Sequence, residues 1–143
     1  MIEVKLKIEE ISTFANELNQ YLKLEFKHKK DSINFKNHNV FANHYDYDIM
    51  IRFFSYYPSK YYNSITISRI SFTEEKKGHA TRLIEYLVSQ SDKYCYDYII
   101  IESTNRSSQA FVEKLGFKKI ILDDDNMLDY VISVTDLKKN LYI

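Results

Sequence analysis

Glu75-Lys76-Lys77-Gly78-His79-Ala80 marks the point where an apolar strand pattern gives way to a helix pattern. Asn105-Arg106-Ser107-Ser108-Gln109-Ala110-Phe111-Val112-Glu113-Lys114-Leu115-Gly116-Phe117 does the same after a second strand. The first N–H groups of a helix have no partner inside it, so each turn can hold an anion. Gly78 and Ala80 are small enough for backbone and ligand to approach closely, and Lys76 and Lys77 add positive charge. Two such turns on neighbouring parallel strands make a cleft for a ligand with a phosphate and a long tail. Taken alone, the hexapeptide is also an ordinary charged turn. Its place between a bulged strand and an amphipathic helix favours the anion site.

The flanking pattern supports that placement. Ile65 and Ile67 share one phase of a strand, Ile70 and Phe72 the other, so the phase slips near Ser68-Arg69. One extra residue, a β-bulge, is the simplest cause, and bulges often sit beside active sites. Ala80, Leu83, Ile84, Leu87 and Val88 are spaced as one face of a helix. Tyr98-Ile99-Ile100-Ile101 is a continuous apolar run, expected of a strand covered on both faces. Ala110, Phe111, Val112 and Leu115 mark a further helix, which Gly116 stops in a left-handed conformation.

Working outward, Val4, Leu6 and Ile8 alternate with charged residues and predict a half-buried strand. Ile11, Phe14, Ala15, Leu18, Tyr21 and Leu22 predict a helix from about Glu9 to Leu24. From Lys27 to Asn43 the expectation is an exposed loop with one short strand at Ile33 and Phe35. Tyr45, Tyr47, Ile49, Ile51 and Phe53 predict a long strand ending near Pro58. Phe117–Leu122 and Met127–Val134 read as a hairpin turned by Asp123-Asp124-Asp125-Asn126. The order is that of a mixed α/β sheet in a single domain over residues 1–143.

Composition excludes some classes. With 45% hydrophobic and 28% charged residues the chain is a soluble globular one, and 143 residues suffice for one real core. Net charge is zero, so no global field draws in nucleic acid or an anionic membrane; Lys27 to Lys30 is only a short basic cluster. The single cysteine, Cys95, forms no internal disulfide, fits a cytoplasmic setting and is expected as a small buried hydrophobe. The start, Met1-Ile2-Glu3-Val4-Lys5, lacks the apolar run of a signal peptide, and no stretch approaches a membrane span. No pair among the histidines has metal-ligand spacing.

The two turns, with the strand order from Ile65 to Ile120, resemble the acyl-CoA-binding core of the GNAT superfamily of N-acetyltransferases. In that family the first turn reads Gln or Arg, two residues, Gly, one residue, then Gly or Ala. Gly78 and Ala80 match, whereas Glu75 replaces the Gln or Arg. The second helix resembles the family's Ala-x-x-x-Tyr-x-Lys-x-Gly-Phe ending, with the Ala spacing one residue shorter and Val112 where many members have a Tyr that protonates the CoA thiolate. The resemblance implies a mostly antiparallel mixed sheet with helices on both faces and a splayed parallel strand pair at the cofactor cleft. It implies acetyl-CoA as cosubstrate and an amine, small molecule or protein, as acceptor; dimers are common in the family. The backbone of Lys77, Gly78, His79, Ala80 and Thr81 would hold pyrophosphate, with the charge of Lys76 beside it. Ile70, Ser71 and Phe72 would pair with pantetheine as a false strand, with an oxyanion-stabilising N–H among them. Asn105 would meet the middle of the arm; Ser107 or Ser108 could cap the next helix, Ser108 being counted with the cofactor-binding residues, and Phe111 and Lys114 complete the motif.

Acetyl transfer to an amine needs a base. Glu102 is the first choice, since it follows the Ile99-Ile100-Ile101 run where the parallel strands should splay; the alternative is a solvated strand-end carboxylate. His79 lies inside the phosphate turn and should face solvent or nucleotide. His44 is a lesser candidate for the acceptor pocket. Tyr45, Tyr47, Tyr56, Tyr57, Tyr61 and Tyr62 either line the acceptor groove, where one could replace the missing acid, or pack on the sheet. The rival to an enzyme is a non-catalytic acyl-CoA-binding or protein-interaction module on the same fold.

Overall fold

The computed structural model describes residues 7–54, 61, 63–75, 77–104, 106–120 and 128–142. Its elements are α1 (Ile8–Phe26), β1 (Ile33–Lys36), β2 (Asn39–His44), β3 (Tyr47–Phe53), β4 (Ser64–Phe72), α2 (His79–Ser89), α3 (Ser91–Tyr94), β5 (Tyr98–Thr104), α4 (Arg106–Lys114), β6 (Lys118–Ile120), β7 (Leu128–Ser133) and α5 (Val134–Leu141). One seven-stranded sheet runs β1-β2-β3-β4-β5-β7-β6. Every neighbouring pair is antiparallel except β4 with β5.

α1 forms because Ile11, Phe14, Ala15, Leu18 and Leu22 fall on one buried stripe. Glu10 accepts the Lys7 N–H at its start, and Lys27 ends it in the left-handed region with φ 56°. The strand expected up to Ile8 is corrected there: Ile8 opens the helix and is exposed. Residues 1–6, with Val4 and Leu6, lie outside the described residues.

The loop expected before Asn43 contains β2. Val40 and Ala42 are buried and pair with Ile51 and Ile49. The strand expected from Tyr45 starts at Tyr47, because Tyr45 and Asp46 turn the hairpin. On β3, Tyr47, Ile49, Ile51 and Phe53 all face the core.

The phase slip in β4 is a bulge at Ser68. Met50 pairs with Arg69 and Ile51 with Ile67, leaving Ser68 as the extra residue. Ile65 and Ile67 therefore lie opposite Phe53 and Ile51, and Ile70 and Phe72 opposite Ile49 and Tyr47, on the same sheet face. β4 then runs parallel to β5 from Ser64↔Tyr98 to Ile67↔Ile101.

α1 packs over that face. Phe14 meets Phe53 and Tyr94 edge-on at 4.8 and 5.2 Å, and Tyr21 stacks on Tyr86 of α2 at 4.3 Å. Leu83, Ile84, Leu87 and Val88 of α2, Val112 of α4 and Leu137 of α5 join the same cluster. A smaller one, Ile100, Ile120 and Val131, lies on the opposite face. Gly116 stops α4 with φ +95°, as expected. The strand read through Val134 ends at Ser133, whose hydroxyl accepts the Asp136 N–H and starts α5, a helix the sequence reading omits. Cys95 is a second correction: it takes the left-handed position after α3 (φ 60°) and is exposed, because the chain must turn there towards β5. Among the described residues, no helix is long and apolar enough to cross a membrane.

Candidate cofactor cleft

β4 and β5 part after Ile67↔Ile101. Beyond that point β4 pairs with β3 through Ile70↔Ile49 and Phe72↔Tyr47, and β5 rejoins β7 at Thr104↔Leu128. Among the described residues, the β5-facing edge of Ile70, Ser71 and Phe72 thus has no strand beside it in the ladder. α2 and α4 begin shortly after the carboxyl ends of this parallel pair, the place where open α/β sheets bind ligands.

Glu102 sits at the fork. Its Oε1 accepts from the Ser68 hydroxyl at 3.0 Å and from the Arg52 guanidinium of β3. Arg52 pairs with Thr66, and Thr66 with Ile100, so this triad occupies the sheet face opposite α1. The bulge therefore does two things. It restores the apolar facing of β4, and it turns the Ser68 hydroxyl to the carboxylate where the strands separate.

Gly78 is the N-cap of α2, with φ +80° and no side-chain capping bond, so no side chain of its own covers the first-turn N–H groups. Arg82, one helical turn on, folds back over it. A Cβ at Gly78 would lie 2.6 Å from Arg82 Nη1. Arg82 Nη2 donates to the Lys77 carbonyl at 2.7 Å, and Nε donates to Glu25 at 2.8 and 2.9 Å. Glu25, near the end of α1, also accepts from His79 Nδ1 at 2.6 Å. Burial pushes the Glu25 carboxyl up, but the bonds from Arg82 and His79 outweigh it and hold the group below its usual range. The His79 ring lies 4.3 Å from Phe26 and 5.6 Å from Phe72. A cavity of about 190 Å³ adjoins it, lined by Glu25, Phe26, Lys27, Asp46, Glu74 and His79.

The remaining expected residues are distributed as follows. Lys76 and Asn105 lie outside the described residues. Lys77 and Glu75 are exposed in the turn; Ala80 and Thr81 are half-buried in the first turn of α2. Ile70 and Phe72 pack partly on the core, and Ser71 is exposed. Ser108 is half-buried near the start of α4, and Phe111 packs on the core. Lys114 is exposed at the far end of α4, about 12 Å along the axis from Arg106. Val112 is 1% exposed. Of the tyrosines, Tyr45 stands at the hairpin tip, Tyr47 is buried with its hydroxyl on Ser32 and His28, and Tyr61 packs edge-on against Tyr98. Tyr56, Tyr57 and Tyr62 lie outside the described residues. His44 stacks on His28 beside Tyr47.

Sequence reasoning missed Arg52, Glu25 and Arg82. Arg82 left a signal, a cation four residues after the turn glycine and so on the same helix face. Arg52 is 50 residues from Glu102 and Glu25 is 57 from Arg82, so neither pairing leaves a local trace.

No protein-family model and no curated protein matches the sequence. Solved structures do. An acetyltransferase from Thermus thermophilus superposes with a TM-score of 0.52 at 16% identity, over 66% of this chain and 61% of that one. A Desulfovibrio desulfuricans protein described as a GNAT-family acetyltransferase gives 0.50 at 15% identity, over 67% of each chain. An Agrobacterium tumefaciens protein described as an acetyltransferase gives 0.50 at 12% identity, over 93% of this chain and 97% of that one. The chain thus spans about three fifths of the Thermus protein's length and nearly all of the Agrobacterium protein's. At such identities the likeness is one of fold: this chain has a GNAT-like fold.

Proposed function

We propose that the protein transfers an acetyl group from acetyl-CoA to an amine. The observation that carries this reading is the parallel pair that opens at Ile67 and Ile101 beside the α2 turn with no side-chain cap. Pyrophosphate binds the backbone from Lys77 to Thr81, where the helix dipole and first-turn N–H groups favour an anion. Pantetheine lies along the open edge of Ile70, Ser71 and Phe72, and Asn105 and Ser108 meet the arm from the second turn. The thioester then reaches the fork at Ser68 and Glu102.

There the neutral amine attacks the thioester carbonyl carbon, and a backbone N–H of β4 near Ile70 stabilises the oxyanion. Collapse breaks the carbon–sulfur bond and releases CoA thiolate. Glu102 takes the proton that the amine loses, directly or through one water. Arg52 and Ser68 both bind its Oε1, which fixes the carboxylate and leaves Oε2 for the proton. The acceptor approaches on the sheet face that carries Arg52. The thiolate takes its proton from solvent, since Val112 has none to give.

Val112 also supports a second reading, a module that binds acyl-CoA without turnover. The position is sealed in the core at 1% exposure and supplies no acid. Thiol release from acetyl-CoA over a panel of amines separates the two. The enzyme reading expects release above the amine-free blank, lowered about 100-fold or more in Glu102→Gln. Binding of acetyl-CoA with no release from any amine supports the module instead.

A further inference from the structure

We infer that Arg82 is the phosphate-binding cation of the α2 turn, and that Glu25 latches it in place until an anion arrives. This rests on the cofactor reading above and adds to it which side chain meets the phosphate and what opposes it.

Glu75, exposed in the turn, is acidic and offers an anion nothing. Arg82 places a guanidinium at this turn, against Gly78 and the Lys77 carbonyl. Its Nη1 lies over Gly78, close enough that any side chain on Gly78 would meet it. Its Nε and Nη2 are engaged by Glu25 and the Lys77 carbonyl, whereas Nη1 makes no hydrogen bond among the described residues. The side chain remains 47% exposed, while its partner Glu25 is only 12% exposed and is fixed from the other side by His79. The arrangement is a half-exposed cation held by a largely buried anion.

A guanidinium binds phosphate oxygens through two parallel N–H bonds, a geometry that lysine lacks. A diphosphate arriving at the turn meets the helix N-terminus and Arg82 together, and it competes with Glu25 for the same donors. Glu25 thus lowers the resting affinity for anions and keeps Arg82 from straying into solvent.

Binding of CoA and of pantetheine, which lacks phosphate, tests this by calorimetry in the wild type, Arg82→Ala, Arg82→Lys and Glu25→Gln. Each variant is first checked for an unchanged far-UV spectrum and a cooperative melt. Arg82→Ala is expected to weaken CoA about 10-fold to 100-fold and to leave pantetheine unchanged, with Arg82→Lys between it and the wild type. Glu25→Gln is expected to tighten CoA a few-fold, as Arg82 is no longer shared. CoA affinity unaltered by Arg82→Ala makes Arg82 a structural ion pair and overturns the inference while the cofactor reading stands. Weaker CoA binding in Glu25→Gln overturns the latch. Wild-type protein that binds no CoA at all removes the cofactor reading, and the inference with it. If Arg82→Ala fails to fold, a CoA affinity in Arg82→Lys equal to that of the wild type overturns the role of the guanidinium fork.

Discussion

His28 is the residue whose chemistry is most exposed to test. Its ring stacks on His44 at 3.9 Å and 13°, and its Nε2 bonds to the Tyr47 hydroxyl at 2.8 Å. Asp46 flanks His44, with its carboxylate 3.4 Å from Nδ1; Lys23 of α1 and the backbone of Lys30 also act on the His28 ring. Burial first, then the neighbouring His44, lowers the His28 pKa below its ordinary 6.5. As pH falls, the unfolded chain therefore takes up this proton before the folded one does. The contribution of His28 is full above about pH 6.5 and is lost below it. The unfolding midpoint is expected to drop as pH falls below about 6.5, and the drop to flatten in His28→Gln. A slope that survives the substitution contradicts this. Glu17 and Asp31, lowered by hydrogen bonds from Lys93 and Lys23, act only at more acidic pH. At this scale the sequence exposed the residues of each turn, because a small residue before an amphipathic stripe is a local signal. It hid the partners. Glu102 was legible as a carboxylate after an apolar run, but its bonds to Ser68 and Arg52 exist only once three strands are side by side.

Among elements, β4 shapes the candidate cleft. Its phase slip was readable because Ile65, Ile67, Ile70 and Phe72 cannot all face one way in a regular strand. Removing Ser68 gives a strand whose apolar residues alternate without interruption against β3. The deletion is expected to fold, with an unfolding midpoint within a few degrees of wild type, and to lose acetyl-CoA binding, since the fork closes and Glu102 loses a donor. A deletion variant that still binds acetyl-CoA like the wild type contradicts the role given to the bulge. β2 escaped the sequence reading because Asn39, Asn43 and His44 surround only two buried residues, Val40 and Ala42, and a strand with so little apolar signal looks like loop. α5 escaped because Val134 continues the apolar run of β7, so the boundary at Ser133 shows only as a cap. In both cases tertiary packing, not local propensity, decides the element.

For the whole molecule, the fold follows from one sheet, an apolar face covered by α1 and α2, and one parallel pair set among antiparallel neighbours. That single pair places two helix starts on the same rim, and everything assigned to the cofactor depends on it. Gly78 is the position where the claim is most easily broken. It holds φ +80°, and a side chain there meets Arg82. The most direct measurement is the thermal unfolding midpoint with and without acetyl-CoA, for the wild type and for Gly78→Glu, each compared with its own ligand-free melt. Ligand at about 100 times its dissociation constant stabilises by about 2.7 kcal/mol, several degrees for a domain of this size. A shift of that order in the wild type, abolished in Gly78→Glu, is the predicted result. No shift in the wild type at millimolar acetyl-CoA, or an equal shift in both proteins, contradicts it.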